Sequence, residues 1–536
     1  MKIDKVHIKG EFKNLKDFYF EFDQDATETV LLGLNATGKS NFMEALVIIF
    51  RDLDLETPPK LQKKGQTLEY YIRYNCREKN IEIEYSVRDG YTFIVDGEKL
   101  RSKNQFFKNK NTYLPSHVFV YYSGLSERLK SLYAEHKLLQ FKKMMTPGLK
   151  YEDFNEMPRI FLVEPIHASL ALIAFYLFPE RENETIEFLK NELNIVDFGS
   201  ALFMLKQPNW SKSRQGDERF WHTNGLVRRF IEDLWNFAIA PIFFKETVKG
   251  ALNKRESLQR LFLFIKDKAT FSSLVEMKMY KSKIPLFNAL CSLHYSELVD
   301  DQDVRIKVVK ENIPGELVMG ELSEGEKQLI TVLGLLKFTK DDEALILLDE
   351  PDTHLNPLWK WKYLEFLNNV VHKSDKTQVV FCTHDPLVIG SMDKKQVRVF
   401  KRNNKYETTV IEPDVSPEGM GVAAILTSEL FGLPTILDKK TQEKLNRKRY
   451  LQGRLMRDAL SNVENEEYQK LKLELEEFGF YEEVEDKWFK YYLAEMSKLD
   501  AFEKTELSEA EKQMLAEQSA KAADRVLKLM EKDGLR

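Results

Sequence analysis

Lys2–Ile8 alternates polar and apolar residues, Tyr19–Phe22 does so again, and Thr29–Leu32 is an apolar run that ends at a glycine, which predicts three short opening strands. Asn41–Phe50 (NFMEALVIIF) reads as a helix. Between Leu68 and Val95 the stretches EYYIRY, IEIEYSV and YTFIV are β-rich and are separated by the turn-forming NCREKN and RDG, which predicts an antiparallel meander. His117–Tyr122 (HVFVYY) is a further strand, ended by Ser123-Gly124. From about 125 to 300 the apolar period shifts to three and four residues, as in Gly225–Ala238 (GLVRRFIEDLWNFA), with few strand signals. Strands return at Val304–Val309 and Glu316–Met319, and a second α/β block covers about 320–400. After about 440 the sequence is almost continuously helix-forming, with Gly432-Leu433-Pro434 as a hinge before it.

These elements predict an α/β chain in four regions. Residues 1–124 and 301–440 form the two halves of a head, 125–300 an inserted basic helical region, and 441–536 an acidic helical C-terminal region. The length of 536 residues gives a prior of roughly three domains, enough to bury a large core without staples. The three cysteines, Cys76, Cys291 and Cys382, lie far apart and include no C-x-x-C, so neither a zinc site nor a disulfide framework is indicated, and a reducing cytoplasm is expected. The longest apolar run, Ser169–Phe178, is about half the ~20 residues needed to cross a bilayer, and the N-terminus lacks a signal-peptide apolar core. The expectation is a soluble, intracellular protein without membrane attachment.

The formal net charge of −5 hides an uneven distribution. Residues 101–150 hold ten Lys/Arg against two acids, and 241–290 hold ten against four. Such a region can present a positive face to nucleic-acid phosphates, or simply solvate helices; charge alone leaves both readings open.

The chemistry concentrates in Gly33-Leu34-Asn35-Ala36-Thr37-Gly38-Lys39-Ser40, a full G-x-x-x-x-G-K-[ST] match between an expected strand and an expected helix. The loop turns its backbone N–H groups toward phosphate oxygens, and the helix N-terminus, which continues into Asn41, adds partial positive charge. Lys39 is expected to reach the β- and γ-phosphates of ATP, and Ser40 to ligate Mg²⁺. Some 300 residues on, Ala344–Glu350 (ALILLDE) is an apolar strand run ending in two acids. Alone this is a weak signal. Beside a phosphate loop it assigns Asp349 to the Mg²⁺ and Glu350 to the attacking water.

Two further motifs are Leu322-Ser323-Glu324-Gly325-Glu326-Lys327-Gln328 before that strand and Thr383-His384-Asp385 after it. The set resembles the ATP-binding-cassette ATPases of the SMC and RecF kind, with LSEGEKQ as signature and His384 as switch histidine. The resemblance implies an ABC-type head with a mixed sheet and an antiparallel β subdomain. It also implies that Ser323 and Gly325 of one copy close on the γ-phosphate held by another, giving a homodimer or higher oligomer. Asp352–Pro357 resembles the D-loop, and Lys13 and Asn14 in the first hairpin resemble the segment that touches the nucleotide. Ala36 stands where many relatives have glycine, and no Q-loop glutamine is identifiable; Tyr121–Gly124 is its expected location.

No D-x-D follows His384 and no HNH-like cluster is visible, so any nuclease activity is expected in a partner. With LTSELFGLP (Leu426–Pro434) and the helical tail, the chain resembles the PtuA-like ATPases of Septu-type and retron-associated antiphage systems. That resemblance implies an HNH nuclease (PtuB-like) subunit as partner and, in the retron-associated kind, a reverse transcriptase with its DNA. A RecF-like DNA-binding repair ATPase and a slowly hydrolysing, nucleotide-gated scaffold are the alternatives.

Overall fold

Three continuous apolar runs, Glu28–Gly33, Ala344–Asp349 and Thr377–Cys382, lie side by side and parallel in the computed structural model, buried almost throughout. Strands covered on both faces lose the polar alternation of half-exposed ones, which is why these read as unbroken hydrophobic stretches. The structure describes residues 1–61, 66–124, 128–178, 183–211, 219–249, 255–278, 280–311, 313–338, 343–371, 376–403, 407–455 and 460–480, with short pieces between 495 and 528.

The three runs form the centre of a seven-stranded mixed sheet. Its order is Thr408–Ile411, Val397–Arg402, Glu28–Gly33, Thr377–Cys382, Ala344–Asp349, His117–Tyr122 and Ile160–Leu162. Only the first pair is antiparallel. The expected meander is present as a six-stranded antiparallel sheet that joins the first hairpin (Lys2–Phe12 with Leu15–Glu21) to Glu69–Cys76, Lys79–Ser86, Gly90–Val95 and Glu98–Lys99. The fold class is therefore the expected one, an α/β head with an antiparallel β subdomain.

An aromatic cluster fixes the first hairpin to the large sheet. Phe20 stacks on Phe42 of the helix Lys39–Asp54 at 4.5 Å between centroids, and Phe18 lies 5.6 Å from both Phe42 and Phe400. All four rings are buried, each contributing about 1.5–3 kcal/mol, so hairpin, helix and sheet share one core here.

The middle region departs from the helical expectation for 125–300, which allowed few strands. It does contain helices, among them Arg128–Met144, Ile166–Leu177, Gly225–Phe237 and Lys283–Tyr295. Ile195–Lys206, Ile242–Lys249 and Arg255–Ile265, however, are strands of a five-stranded sheet completed by Val304–Lys310 and Glu316–Val318. Phe203 and Leu205 alternate inward from one strand, and Leu261, Leu263 and Ile265 from its neighbour. Such short runs are ambiguous in one dimension; partners sixty to a hundred residues away, as in Phe203↔Leu263 and Phe203↔Val304, decide them.

The chain divides into compact units at Met1–Met420 and Gly421–Arg536. The Gly432–Pro434 segment is a turn inside the second unit rather than a hinge before it. Gly432 N–H donates to Ser428 O at 2.8 Å and Leu433 N–H to Leu426 O at 3.0 Å, folding the segment back onto the helix Val422–Thr427. In this unit the helices Lys439–Leu455 and Asn462–Glu477 pair through Arg447, whose two guanidinium nitrogens each lie 2.9 Å from Glu467, and through Lys444–Glu474 at 2.8 Å. Most of the expected helical tail beyond 480 lies outside the described residues. No helix among the described residues is long and apolar enough to cross a membrane.

Candidate functional site

The parallel strand Glu28–Gly33 ends in Gly33 at φ +139°, and the loop then passes Ala36 at φ +63° before the helix starts at Lys39. A Cβ on Gly33 would lie 2.4 Å from the Phe400 carbonyl oxygen, so the loop leaves the sheet along a path open only to glycine. Ala36 holds the left-handed conformation without that freedom, at a cost of about 1 kcal/mol. The Thr37 hydroxyl donates to Leu34 O at 2.8 Å, and Thr408 from the sheet edge donates to Thr37 O at 2.9 Å, so both ends of the loop are tied down.

Lys39 folds back over this loop, its Nζ donating to Gly33 O at 2.6 Å and Leu34 O at 3.2 Å. Burial pushes its ammonium below the ordinary lysine range, against the pull of nearby Cys382, Asp349 and Glu350. A desolvated cation that rests on carbonyl oxygens gains strongly from an arriving phosphate.

Asp349 ends the central strand two positions across the sheet from Gly33, and is buried. Burial raises its carboxyl, and hydrogen bonds from Ser40 and Cys382 work against that rise. A buried carboxylate beside a serine hydroxyl is an oxygen donor pair suited to Mg²⁺, which uses one or two protein oxygens and takes the rest from water and phosphates.

Glu350 follows at φ +53°, its N–H donating to Cys382 O at 3.0 Å. A non-glycine residue in this region is strained by about 1–3 kcal/mol and persists where its surroundings hold it. The strand Thr377–Cys382, lying between the phosphate-loop strand and the Asp349 strand, delivers His384 to the same end: its Nε2 lies 3.5 Å from Glu350 Oε1. Burial, and then Lys39, hold this imidazole below the usual histidine value. Thr383 donates to the buried Asp352 at 2.9 Å, and Asp385 caps the next turn through Leu387 N–H at 2.9 Å.

The hairpin residues Lys13 and Asn14 both reach the helix that follows the loop. Asn14 bridges the loop to the helix, donating to Ala36 O at 3.0 Å and accepting from the Asn41 amide at 2.7 Å. Lys13 is ion-paired with Glu44, a buried carboxylate on the helix. Ser323 caps the signature helix Glu324–Leu329, exchanging hydrogen bonds with Glu326, which in turn pairs with Lys310. Among the described residues, neither Ser323 nor Gly325 hydrogen-bonds to the phosphate loop of its own chain. The expected Q-loop position does sit beside Asp349, with Ser123 N–H donating to Asp349 O at 3.2 Å, but it carries no glutamine.

The sequence reading missed Gln328 and Thr353, which hold the segment after Asp349. Gln328 belongs to the quoted signature, yet nothing in that motif tells that its amide points at the Glu350–His354 turn. A separate cavity of about 920 Å³ borders this turn, walled in part by Tyr121, Glu164, Asp301, Lys327, Gln328 and His354; none of the phosphate-loop residues line it.

Comparison with known proteins agrees with this chemistry. A family model described as "AAA ATPase domain" matches residues 1–389. The chain is 27% identical over 191 residues to the Septu protein PtuA of Bacillus mycoides, covering 34% of this chain and 25% of that protein. It is 20% identical over 452 residues to the Retron Ec83 probable ATPase of Escherichia coli, covering 76% of this chain and 73% of that one. A DNA replication and repair protein RecF, from Caldanaerobacter subterraneus subsp. tengcongensis, is 30% identical over 133 residues, 23% of this chain and 35% of that protein. The chain thus spans only about a quarter of the length of the Septu relative. Among solved structures, the SMC head domain from Thermotoga maritima aligns over 77% of this chain and 100% of its own, at 12% identity and a TM-score of 0.32.

Proposed function

Since the chain belongs to the AAA ATPase domain family, we propose that its hydrolysis of ATP governs a partner HNH nuclease in a cytoplasmic antiphage defence system of the Septu or retron type. One observation carries the ATPase half of this reading: the phosphate loop, Asp349, Glu350 and His384 meet at one end of adjacent parallel strands, although they come from segments some 300 residues apart.

In this reading the loop amides of 33–40 and the Lys39 ammonium receive the β- and γ-phosphates. Ser40 and Asp349 would hold Mg²⁺, which would supply neutralisation of phosphate charge. Glu350 accepts a proton from the attacking water, and His384, neutral at pH 7 because its site is desolvated, faces the same carboxylate. The capped signature turn at Ser323 and Gly325 serves the nucleotide of a second copy, so ATP binding drives assembly of a sandwich dimer. The defence role is supported by the names of two relatives, a Septu protein and a retron ATPase. In keeping with this, no D-x-D follows His384 in the sequence, and the reading assigns strand cutting to a partner.

The local likeness to a RecF protein favours a second reading, a repair ATPase that engages DNA unaided. Affinity capture of the tagged chain from its native locus, with mass spectrometry and sequencing of bound nucleic acid, separates the two. Recovery of an HNH nuclease supports the defence reading, and a reverse transcriptase with its DNA specifies the retron kind. The chain alone on DNA, in an ATP-dependent manner, supports the repair reading.

A further inference from the structure

We infer that Gln328 is a positioning residue for hydrolysis, tying the turn that starts at Glu350 to the signature helix of its own chain; this rests on the reading of Glu350 as the group that activates water. The Glu350–His354 turn needs an external hold, because it starts from a residue at φ +53° directly after a buried strand. Three groups take the Glu350 carbonyl: the Thr353 hydroxyl at 2.9 Å, the Thr353 N–H at 3.4 Å, and the Gln328 amide nitrogen in a long contact at 3.4 Å. The Gln328 amide oxygen accepts the His354 N–H at 3.0 Å. One side chain, 4% exposed, thus spans both ends of the turn, and it also meets the Tyr121 hydroxyl.

The Gln328 amide offers its donor and its acceptor on separate atoms of one side-chain end, so it can hold both ends of the turn at once. Leucine at 328 keeps the volume without either bond. Three residues earlier on the same helix, and hence on the same face, Gly325 brings backbone against backbone: a Cβ there would stand 2.7 Å from His354 O. A shift of the signature helix by a few tenths of an ångström therefore cannot leave the turn where it was. The signature helix is thus coupled, through Gln328, to the backbone of the turn that carries Glu350.

The test uses full-length chain with Mg-ATP for turnover and AMP-PNP for binding. Gln328→Leu is expected to lower kcat by about tenfold or more while AMP-PNP affinity stays within about twofold, because the lost interaction acts on the reacting geometry and not on binding. Glu350→Gln alone is expected to lose about 100-fold or more, and the double variant to be no slower than Glu350→Gln in single-turnover hydrolysis, since Gln328 works only through that carboxylate. A further tenfold loss in the double variant would assign Gln328 to general packing and overturn the inference. Wild-type kcat for Gln328→Leu beside an inactive Glu350→Gln overturns the inference alone, whereas wild-type turnover of Glu350→Gln overturns the reading of Glu350 itself. Should Gln328→Leu fail to fold, Thr353→Val removes the other side-chain hold on the same carbonyl at an exposed position. It is expected to lower kcat by about threefold or more at unchanged AMP-PNP affinity, and an unchanged kcat there overturns the inference.

Discussion

His384 Nε2 lies 3.5 Å from Glu350 Oε1, a juxtaposition of two residues 34 positions apart that neighbouring parallel strands bring to one end of the sheet. Since burial and the nearby Lys39 keep the imidazole neutral at pH 7, the contact is a polar one between a neutral ring and a carboxylate rather than an ion pair. Glu350→Gln is expected to bind ATP and accumulate as an ATP-bound dimer with hydrolysis reduced by about 100-fold or more. His384→Ala is expected to lose less, about tenfold, since it acts beside the base. Phosphate release and size-exclusion chromatography with ATP measure both.

Lys39→Ala is expected to weaken ATP binding by about 100-fold or more, the cost of removing the partner of a desolvated phosphate charge. Thermal stability of the nucleotide-free chain should hardly fall, because a buried ammonium resting on two carbonyl oxygens is itself expensive to keep. Calorimetric titration with ATP and a melting curve without it separate the two effects.

Lys13 and Asn14 are adjacent and are expected to fail differently. Lys13→Ala removes an ion-pair partner of the buried Glu44 and should destabilise the fold by about 2 kcal/mol, lowering Tm with or without nucleotide. Asn14→Ala removes the bridge between Ala36 and Asn41 and should weaken ATP affinity by about tenfold, with a loss of about 1 kcal/mol in stability. Equal Tm losses for the two variants would contradict this division.

Gly33→Ala would drive a Cβ into the Phe400 carbonyl and force φ +139° on an L-residue, so a loss of about 2 kcal/mol or more is expected, together with ATP binding. Ala36→Gly is expected to be close to neutral, because relief of the left-handed strain is offset by about 0.4–1 kcal/mol of added unfolded-state freedom. Urea unfolding of both variants tests the contrast.

His167 gives the stability a distinct acid dependence. Burial first, and His294 next, push its imidazole down to about 3, and its Nδ1 accepts the Glu164 N–H at 2.9 Å. The unfolded chain takes up this proton below its ordinary value of 6.5, while the native chain refuses it until about 3. The stabilisation is therefore complete above 6.5 and is lost progressively as pH falls toward 3. The neighbouring Glu164, whose carboxyl burial alone would raise, is held at about 2 by its hydrogen bond to His294, so its own loss begins only below 4.5. The urea midpoint should decline from pH 6.5 to 4.5, and His167→Asn, which keeps an acceptor for Glu164 N–H, should flatten that decline.

The sequence by itself determined what a contiguous run can encode. The eight residues 33–40 carry their own turn geometry and donors, the run 344–350 its burial and terminal acids, and the 68–95 meander its strands through turn chemistry between alternating segments. What only the tertiary structure decided depends on partners distant in the chain. Strands at 195–206 and 255–265 look like short helical or apolar runs until they face each other, and Gly432–Pro434 becomes an internal turn only through bonds back to 426 and 428. The ion pair of Lys13 with the buried Glu44 likewise joins residues 31 positions apart that no local pattern links. The strand order that sets His384 between Gly33 and Asp349, and the buried Gln328 amide that fastens the Glu350 turn, follow from packing across some 300 residues, where periodicity and spacing carry no information.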